Sequence, residues 1–337
     1  MRRLDLFRRP TLAAVAATAT LTLTACGGAS AGAGAGTTTT QADEADCPGE
    51  VLDVVVSVSQ WGGIVEQLGG DCANVTTVLA SSAVDPHDYE PTTADIAAFS
   101  DADLAVLNGA DYDHWAADAV ATSGSDPAVV DAAEVVGIEE EGHAEDEGEH
   151  AEGEEEHTEG GVNPHLWYSP EYVQDVAAAV TAQLSELSPD AAEHFAEQAE
   201  AWEAELQPYL DELAALETAA AGRSHAATES VFQYTAEAIG LTDATPEGYR
   251  DAASNETDPA PGDVAAFQAA LTDGSVDVLV YNSQTEGSVP GQLRGAAEAA
   301  DVPVVEVTES APDGESSFVS WQLGQLQQLS SALGGGQ

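Results

Sequence analysis

Short runs of β-branched residues alternate with helical stretches twice along this chain, and that alternation does most to limit the folds open to it. The first series predicts strands at Val51–Val58, Val75–Leu79, Leu104–Leu107 and Ala128–Asp131, with helices at Trp61–Leu68, Thr93–Phe99 and Tyr112–Ala121. The second predicts strands at His225–Thr228, Val276–Tyr281 and Val304–Thr308. Its helices are expected at Val231–Ile239, Val264–Leu271, Gly291–Ala299 and Ser317–Leu333. Strands separated by helices imply parallel sheets with right-handed crossovers. Between the two series, Pro170–Leu187 reads as helix, and Pro189–Ala220 follows with strongly helical composition. There Phe195, Trp202, Leu206, Leu210 and Leu213 recur at helical spacing. Pro208 is expected to kink this helix or to start a second segment. The predicted fold is α/β: two lobes, each a mainly parallel sheet flanked by helices, joined by a long backbone helix with the ligand cleft between them. The N-terminal lobe is expected over residues 48–188, the linking helix over 189–220 and the C-terminal lobe over 221–334.

The N-terminus stands outside this pattern. Residues 1–10 are basic, and 11–25 are small and apolar up to Cys26, as in a secretory signal. The apolar stretch is too short to span a membrane. Leu23-Thr24-Ala25-Cys26 resembles a bacterial lipobox, which implies a signal peptide over 1–25 and lipid on Cys26. The Gly/Ala/Thr-rich stretch that follows has nothing to bury, so 26–47 is expected to be a flexible tether. The mature chain should lie outside the cytoplasmic membrane and touch it only through that lipid. Cys47 and Cys72 remain, and two cysteines in an exported chain suggest one disulfide. If the apolar runs that follow them are neighbouring parallel strands, the starting ends lie within disulfide reach.

Charge narrows the partners. Asp and Glu number 61 against 7 Lys and Arg, for a formal net charge of −54. Beyond the leader only Arg223, Arg250 and Arg294 are basic. Phosphate backbones are bound by Lys and Arg that displace counterions, so nucleic acid and anionic lipid head groups are excluded as main partners. Cations fit such a surface, as does the plainer use of acid excess for solubility. Residues 139–159 gather twelve carboxylates and interrupt them with His143, His150 and His157, spaced seven apart. With no apolar residue larger than alanine, this segment reads as a solvated loop. Its imidazoles add an affinity for transition metals that a plain acidic loop lacks.

Open α/β sheets bind ligands beyond the carboxyl ends of their strands. His87 lies there, in Pro86-His87-Asp88-Tyr89-Glu90-Pro91-Thr92, and His165 lies in Asn163-Pro164-His165-Leu166-Trp167. Each has a preceding proline and a nearby aromatic. His225 and Glu229 bracket the end of the first strand of the second series, and Glu309 follows Val304–Thr308. Imidazoles with carboxylates suit Zn²⁺, Mn²⁺ or Fe²⁺.

Together with Thr228-Glu229-Ser230-Val231-Phe232-Gln233-Tyr234 and Val307-Thr308-Glu309-Ser310, these motifs resemble the zinc- and manganese-binding solute-binding lipoproteins of bacterial ABC transporters. The likeness extends over residues 26–334. It implies His87, His165, Glu229 and Glu309 as the four metal ligands, with His225 competing for the third place and Glu286 in reserve. Asp88 and Glu90 are expected to shape the first loop or orient His87, and His114 and His194 to be ordinary helix residues. The histidine loop is similar to that of the zinc branch, so the expected cargo is Zn²⁺, with Mn²⁺ the alternative. The implied partners are a membrane permease and its cytoplasmic ATPase, and the carrier itself is expected to be a monomer with little domain closure. The rival reading is a metal-dependent hydrolase, since two histidines and a carboxylate around zinc with an open position do hydrolytic chemistry. The chain carries no HExxH helix, GxSxG elbow or P-loop, and four protein ligands would close the metal shell, so an enzyme is not expected.

Overall fold

In the computed structural model, which describes residues 36–82, 84, 89–138, 162–255, 257–285, 287–312, 314–315 and 317–334, every expected strand forms and two short ones join them. The first series runs β1 (Thr38–Thr40), β2 (Leu52–Val58), α1 (Ser59–Gly69), β3 (Ala73–Leu79), α2 (Thr93–Ala98), β4 (Leu104–Leu107), α3 (His114–Thr122), β5 (Ala128–Asp131) and α4 (Ala132–Val135). Two helices follow, α5 (Pro170–Leu187) and α6 (Ala192–Ala220). The second series is β6 (Ser224–Ala227), α7 (Gln233–Ala238), β7 (Thr242–Asp243), α8 (Glu247–Ser254), α9 (Pro261–Asp273), β8 (Val278–Asn282), α10 (Ser288–Ala299), β9 (Val304–Val307) and α11 (Phe318–Ala332).

The first sheet has the order β1-β3-β2-β4-β5 and the second β7-β6-β8-β9. All pairings are parallel except β1 against β3. In the first sheet Val54 on β2 lies opposite Val75 on one side and Leu104 on the other. Central strands covered on both faces must be apolar on both, which is why β2 reads as a near-continuous valine run. On one face Val55, Val78, Leu107, Phe99 and Trp115 pack together under α2 and α3. On the other, Val54, Val56 and Val58 enter a larger cluster that continues through Val176 and Leu184 of α5 and Phe195, Trp202 and Leu206 of α6. That cluster goes on to Val278, Val280, Val305 and Val307 of the second sheet and Leu326 and Leu329 of α11. One core therefore runs under both sheets, with α5 and α6 as its spine. A separate cluster of Ala226, Tyr249, Phe267, Leu271, Leu279 and Leu293 covers the far face of the second sheet.

Three features depart from the sequence reading. Thr38–Thr40, expected within a flexible tether, forms an edge strand with Thr38 opposite Thr77 and the Thr39 and Thr76 hydroxyls 3.0 Å apart. Threonine needs no buried face for this, because an edge strand is held by main-chain bonds. Pro208 does not start a second segment: the long helix continues from Ala192 to Ala220. Pro208 and Ala204 are both exposed, so the carbonyl that loses its N–H partner can bond to water instead. The short helices α4 and α8 went unforeseen. The expected disulfide is present: Cys47 and Cys72 are joined, with Cα atoms 5.0 Å apart, just before the paired starts of β2 and β3.

Candidate metal centre

The side chains of interest come from the carboxyl ends of parallel strands in both sheets. Gln60 follows β2, Tyr112 follows β4, Glu229 follows β6, Asn282 ends β8 and Glu309 follows β9. His165 lies on the stretch that leads into a short 3-10 turn, Leu166–Tyr168, and then α5.

His165 is 5% exposed, and its orientation is set by Asn163. Oδ1 of Asn163 accepts from the His165 main-chain N–H at 3.1 Å and lies 2.7 Å from Nδ1 of the ring. An atom that already accepts from a main-chain N–H is an acceptor, so Nδ1 carries the ring proton and Nε2 keeps its lone pair. This is the arrangement that turns a histidine into a metal ligand. Asn163 is itself tied to the second series: its Nδ2 donates to the Ser230 carbonyl at 2.9 Å, and Tyr234 Oη donates to its own carbonyl at 2.8 Å. Trp167 and Tyr112 meet the imidazole edge-on, with ring centres 5.4 and 6.1 Å away.

Nε2 of His165 stands 3.5 Å from Oε1 of Glu309, which is 7% exposed. The same carboxylate oxygen accepts from Tyr112 Oη at 2.7 Å. Gln60 joins the pair by donating to Tyr112 Oη at 3.0 Å and to the Glu309 carbonyl at 3.2 Å. Tyr112 is delivered by an unusual turn in which Gly109, Ala110 and Asp111 all have positive φ. At Gly109 a side chain is excluded, since a Cβ would lie 2.2 Å from Asp131 Oδ1. The buried Asp113 carboxylate closes this turn by accepting from the main chain of Asn108 at 2.7 Å and of Gly109 at 2.9 Å. Asn108 then donates to the Pro164 carbonyl at 2.9 Å and so ties the turn to the His165 loop. Thr308 is fixed from the other side: its hydroxyl accepts from Trp321 Nε1 at 2.8 Å, and its N–H donates to Gln325 Oε1 at 2.9 Å.

Glu229 is bonded to the Asn282 side-chain amide. Burial pushes its carboxyl above the usual range, against the pull of Asn282 and His165, and the negative charge of Glu309 adds to the rise. The charge of Glu309 thus reaches Glu229. His225, the competing third ligand, sits within β6, and the charges that bear on it are those of Asp243 and Glu237. Among the described residues, no group of three or more His, Cys, Asp or Glu side chains is placed to hold a metal ion.

His114 begins α3 exposed, and His194 lies in α6 with Nε2 3.2 Å from the Gly69 carbonyl, so both are the ordinary helix residues expected. Glu90 is exposed, and the bonds at its end of the first loop come from Asp95, which accepts from Tyr89 Oη and the Thr92 N–H, each at 2.7 Å. Cys26, His87, Asp88, His143, His150, His157 and Glu286 lie outside the described residues. Sequence reasoning overlooked Asn163 as the imidazole's partner, together with Tyr112 and Gln60. The signal for Gln60 and Tyr112 was the one used for the ligands, a polar side chain past a strand's carboxyl end.

The sequence model of the family described as zinc-uptake complex component A, periplasmic (ZnuA), matches residues 54–332. The high-affinity zinc uptake system protein ZnuA of Bacillus subtilis strain 168 is 30% identical over 250 residues, 74% of this chain and 76% of that protein. The manganese-binding lipoprotein MntA of Halalkalibacterium halodurans is 29% identical over 161 residues, 47% of each chain. Among solved structures, the SBP FpvC of Pseudomonas aeruginosa in complex with Ni²⁺ is similar with a TM-score of 0.66 at 20% identity. That match covers 86% of this chain and 98% of the other, and at such identity it speaks for the fold alone.

Proposed function

This chain belongs to the periplasmic zinc-uptake component A family, and on that premise we propose that it is a lipid-anchored carrier that captures Zn²⁺ and hands it to an importer permease. Membership makes it an extracytoplasmic metal-binding component of ABC zinc or manganese uptake, working with a membrane permease and ATPase, and not an enzyme. In our reading His87, His165, Glu229 and Glu309 hold the ion. The observation that carries this is the buried His165, with Nδ1 on Asn163 and Nε2 3.5 Å from Glu309, whose charge also reaches Glu229.

The metal follows from the donors. Two carboxylates make the shell hard enough for Mn²⁺, and one relative is named as manganese-binding. Against that, Zn²⁺ outcompetes Mn²⁺ at sites with nitrogen donors, and the histidines of residues 139–159 suit zinc. In this reading the loop holds further Zn²⁺ weakly and raises its concentration near the cleft. Capture releases protons, because the ligands bind deprotonated and burial makes Glu229 keep its proton longer than an ordinary carboxyl. The Leu23–Cys26 pattern supports the lipid anchor, and MntA is itself named a lipoprotein.

Metal analysis after dialysis against equal free Zn²⁺ and Mn²⁺ tests the reading. The wild type should retain one tight equivalent of zinc, and Glu229→Ala should bind it at least tenfold more weakly. Retention of manganese instead would move the chain to the manganese alternative. Calorimetry on a variant lacking 139–159 should keep the tight equivalent and lose the weaker ones. An unchanged stoichiometry would remove the loop from the mechanism.

A further inference from the structure

Tyr168 is fully buried, and its bonds reach the segments that carry three of the four proposed ligands. Its Oη donates to the carbonyl of Thr308, the residue before Glu309, at 2.7 Å. The same Oη lies 2.9 Å from Gln325 Oε1, which accepts from the Thr308 N–H. The Tyr168 N–H donates to the His165 carbonyl at 3.1 Å, and its own carbonyl accepts from Oγ1 of Thr235 on α7, the helix after Glu229, at 2.6 Å. Its ring meets Phe232 and Trp321 edge-on, with centres 5.8 and 6.2 Å away. Because Trp321 Nε1 donates to the Thr308 hydroxyl, every polar group of Thr308 is held by a side chain of Tyr168, Gln325 or Trp321. One tyrosine hydroxyl thus joins the turn that follows His165 to the residue that precedes Glu309.

The spacing it secures is informative. His165 Nε2 and Glu309 Oε1 stand 3.5 Å apart. Two ligands on one ion, at bonds of about 2.1 Å and the tetrahedral angle, are separated by about 3.4 Å. At the right angle of an octahedral shell the same bonds bring them to about 3.0 Å. We propose that Tyr168 is a positioning residue that holds Glu309 at this distance from His165, and so favours an ion that takes four ligands over one that takes six. The inference rests on the reading above in which His165 and Glu309 are ligands. Without the Tyr168 hydroxyl, the Thr308 carbonyl loses its donor, and the chain past β9 can turn toward another, carrying the Glu309 carboxylate with it. An ion that fills its shell with water tolerates that shift, whereas a four-coordinate ion held by protein groups alone does not.

The test measures the tight dissociation constants of the full-length chain for Zn²⁺ and for Mn²⁺, each alone, by competition against a chromophoric chelator. Tyr168→Phe keeps the ring and removes only the hydroxyl. Its Kd for Zn²⁺ should rise about tenfold, the low end for residues that orient a metal ligand, and its Kd for Mn²⁺ by less than about threefold. The ratio of the two decides, because a merely looser fold weakens both ions alike. A ratio that stays within about threefold of wild type, or that moves toward zinc, overturns the inference whatever the size of each change. Glu309→Ala separates this inference from the reading beneath it. If that variant binds zinc as tightly as wild type, the ligand assignment fails and the inference with it. If it binds weakly while Tyr168→Phe leaves the ratio unchanged, the inference falls alone. Should Tyr168→Phe fail to fold, Gln325→Leu, which removes the acceptor of the Thr308 N–H, is judged by the same ratio.

Discussion

Replacing Asn163 with alanine tests whether the imidazole of His165 is oriented from behind. In the wild type Asn163 Oδ1 accepts from both the main-chain N–H and Nδ1 of His165, at 3.1 and 2.7 Å. A neutral hydrogen bond contributes about 1 kcal/mol net, and one to a charged group about 1.5–3 kcal/mol. Coordination at Nε2 draws positive charge onto the ring, so the Nδ1–H bond strengthens when metal arrives. The variant loses that gain, and the freed ring can also move its proton to Nε2. Together these should cost about 1.4–2.8 kcal/mol of binding, or roughly 10- to 100-fold in Kd, the range usual for residues that orient a metal-bound histidine. Competition against a chromophoric zinc chelator measures it. Gln233→Ala is the control: it touches only the exposed amide end of Asn163, at 3.2 Å, and should shift Kd by less than about threefold by the weak value of exposed neutral bonds. A folded Asn163→Ala variant whose tight Kd stays within about threefold of wild type would refute the reasoning.

Tyr112→Phe removes the hydroxyl that donates to Glu309 and should lower unfolding free energy by about 1.5–3 kcal/mol in urea melts, the range for bonds to charged groups. Reducing Cys47–Cys72, which closes a separation of 25 residues, should cost about 3.5 kcal/mol on the loop-entropy account, read as a lower midpoint in reductant. The metal-free Glu229→Gln variant should be more stable than wild type at pH 7.5. Burial raises the Glu229 carboxyl above its ordinary value of 4.5, so across that window the folded chain holds its proton more tightly than the unfolded chain. Stability is therefore lost as pH climbs through the raised value, and the loss persists above it. The advantage of the glutamine variant should shrink as pH falls toward 4.5, and an advantage independent of pH would contradict the assignment.

Burial on both faces leaves an unmistakable mark on Leu104–Leu107, which forms over the very residues expected, and the half-exposed edge strand Ala128–Asp131 does so too. Thr38–Thr40 left no such mark, since main-chain bonding to an edge is indifferent to side chains. At Pro208 the alternative of a second segment failed because its position on α6 is exposed, where the freed Ala204 carbonyl can bond to water. At the site, the acids at the strand ends could be read from position alone. The role of Tyr112 could not, because it depends on a partner far away in sequence, Glu309, whereas Asn163 acts on His165 only two residues on.

The apolar core shared by both sheets has a kinetic consequence. Prising the two halves apart would wet apolar side chains of that shared core, at about 1.5–3 kcal/mol for each one exposed. Wide opening is thus a poor route for unloading. Dwell time on the carrier should instead be governed by small displacements at the strand ends, where Tyr112 and Asn282 already offer the carboxylates substitute partners. A permease that speeds dissociation need only pull on one such loop, and the rest of the molecule would serve as the anvil against which it pulls.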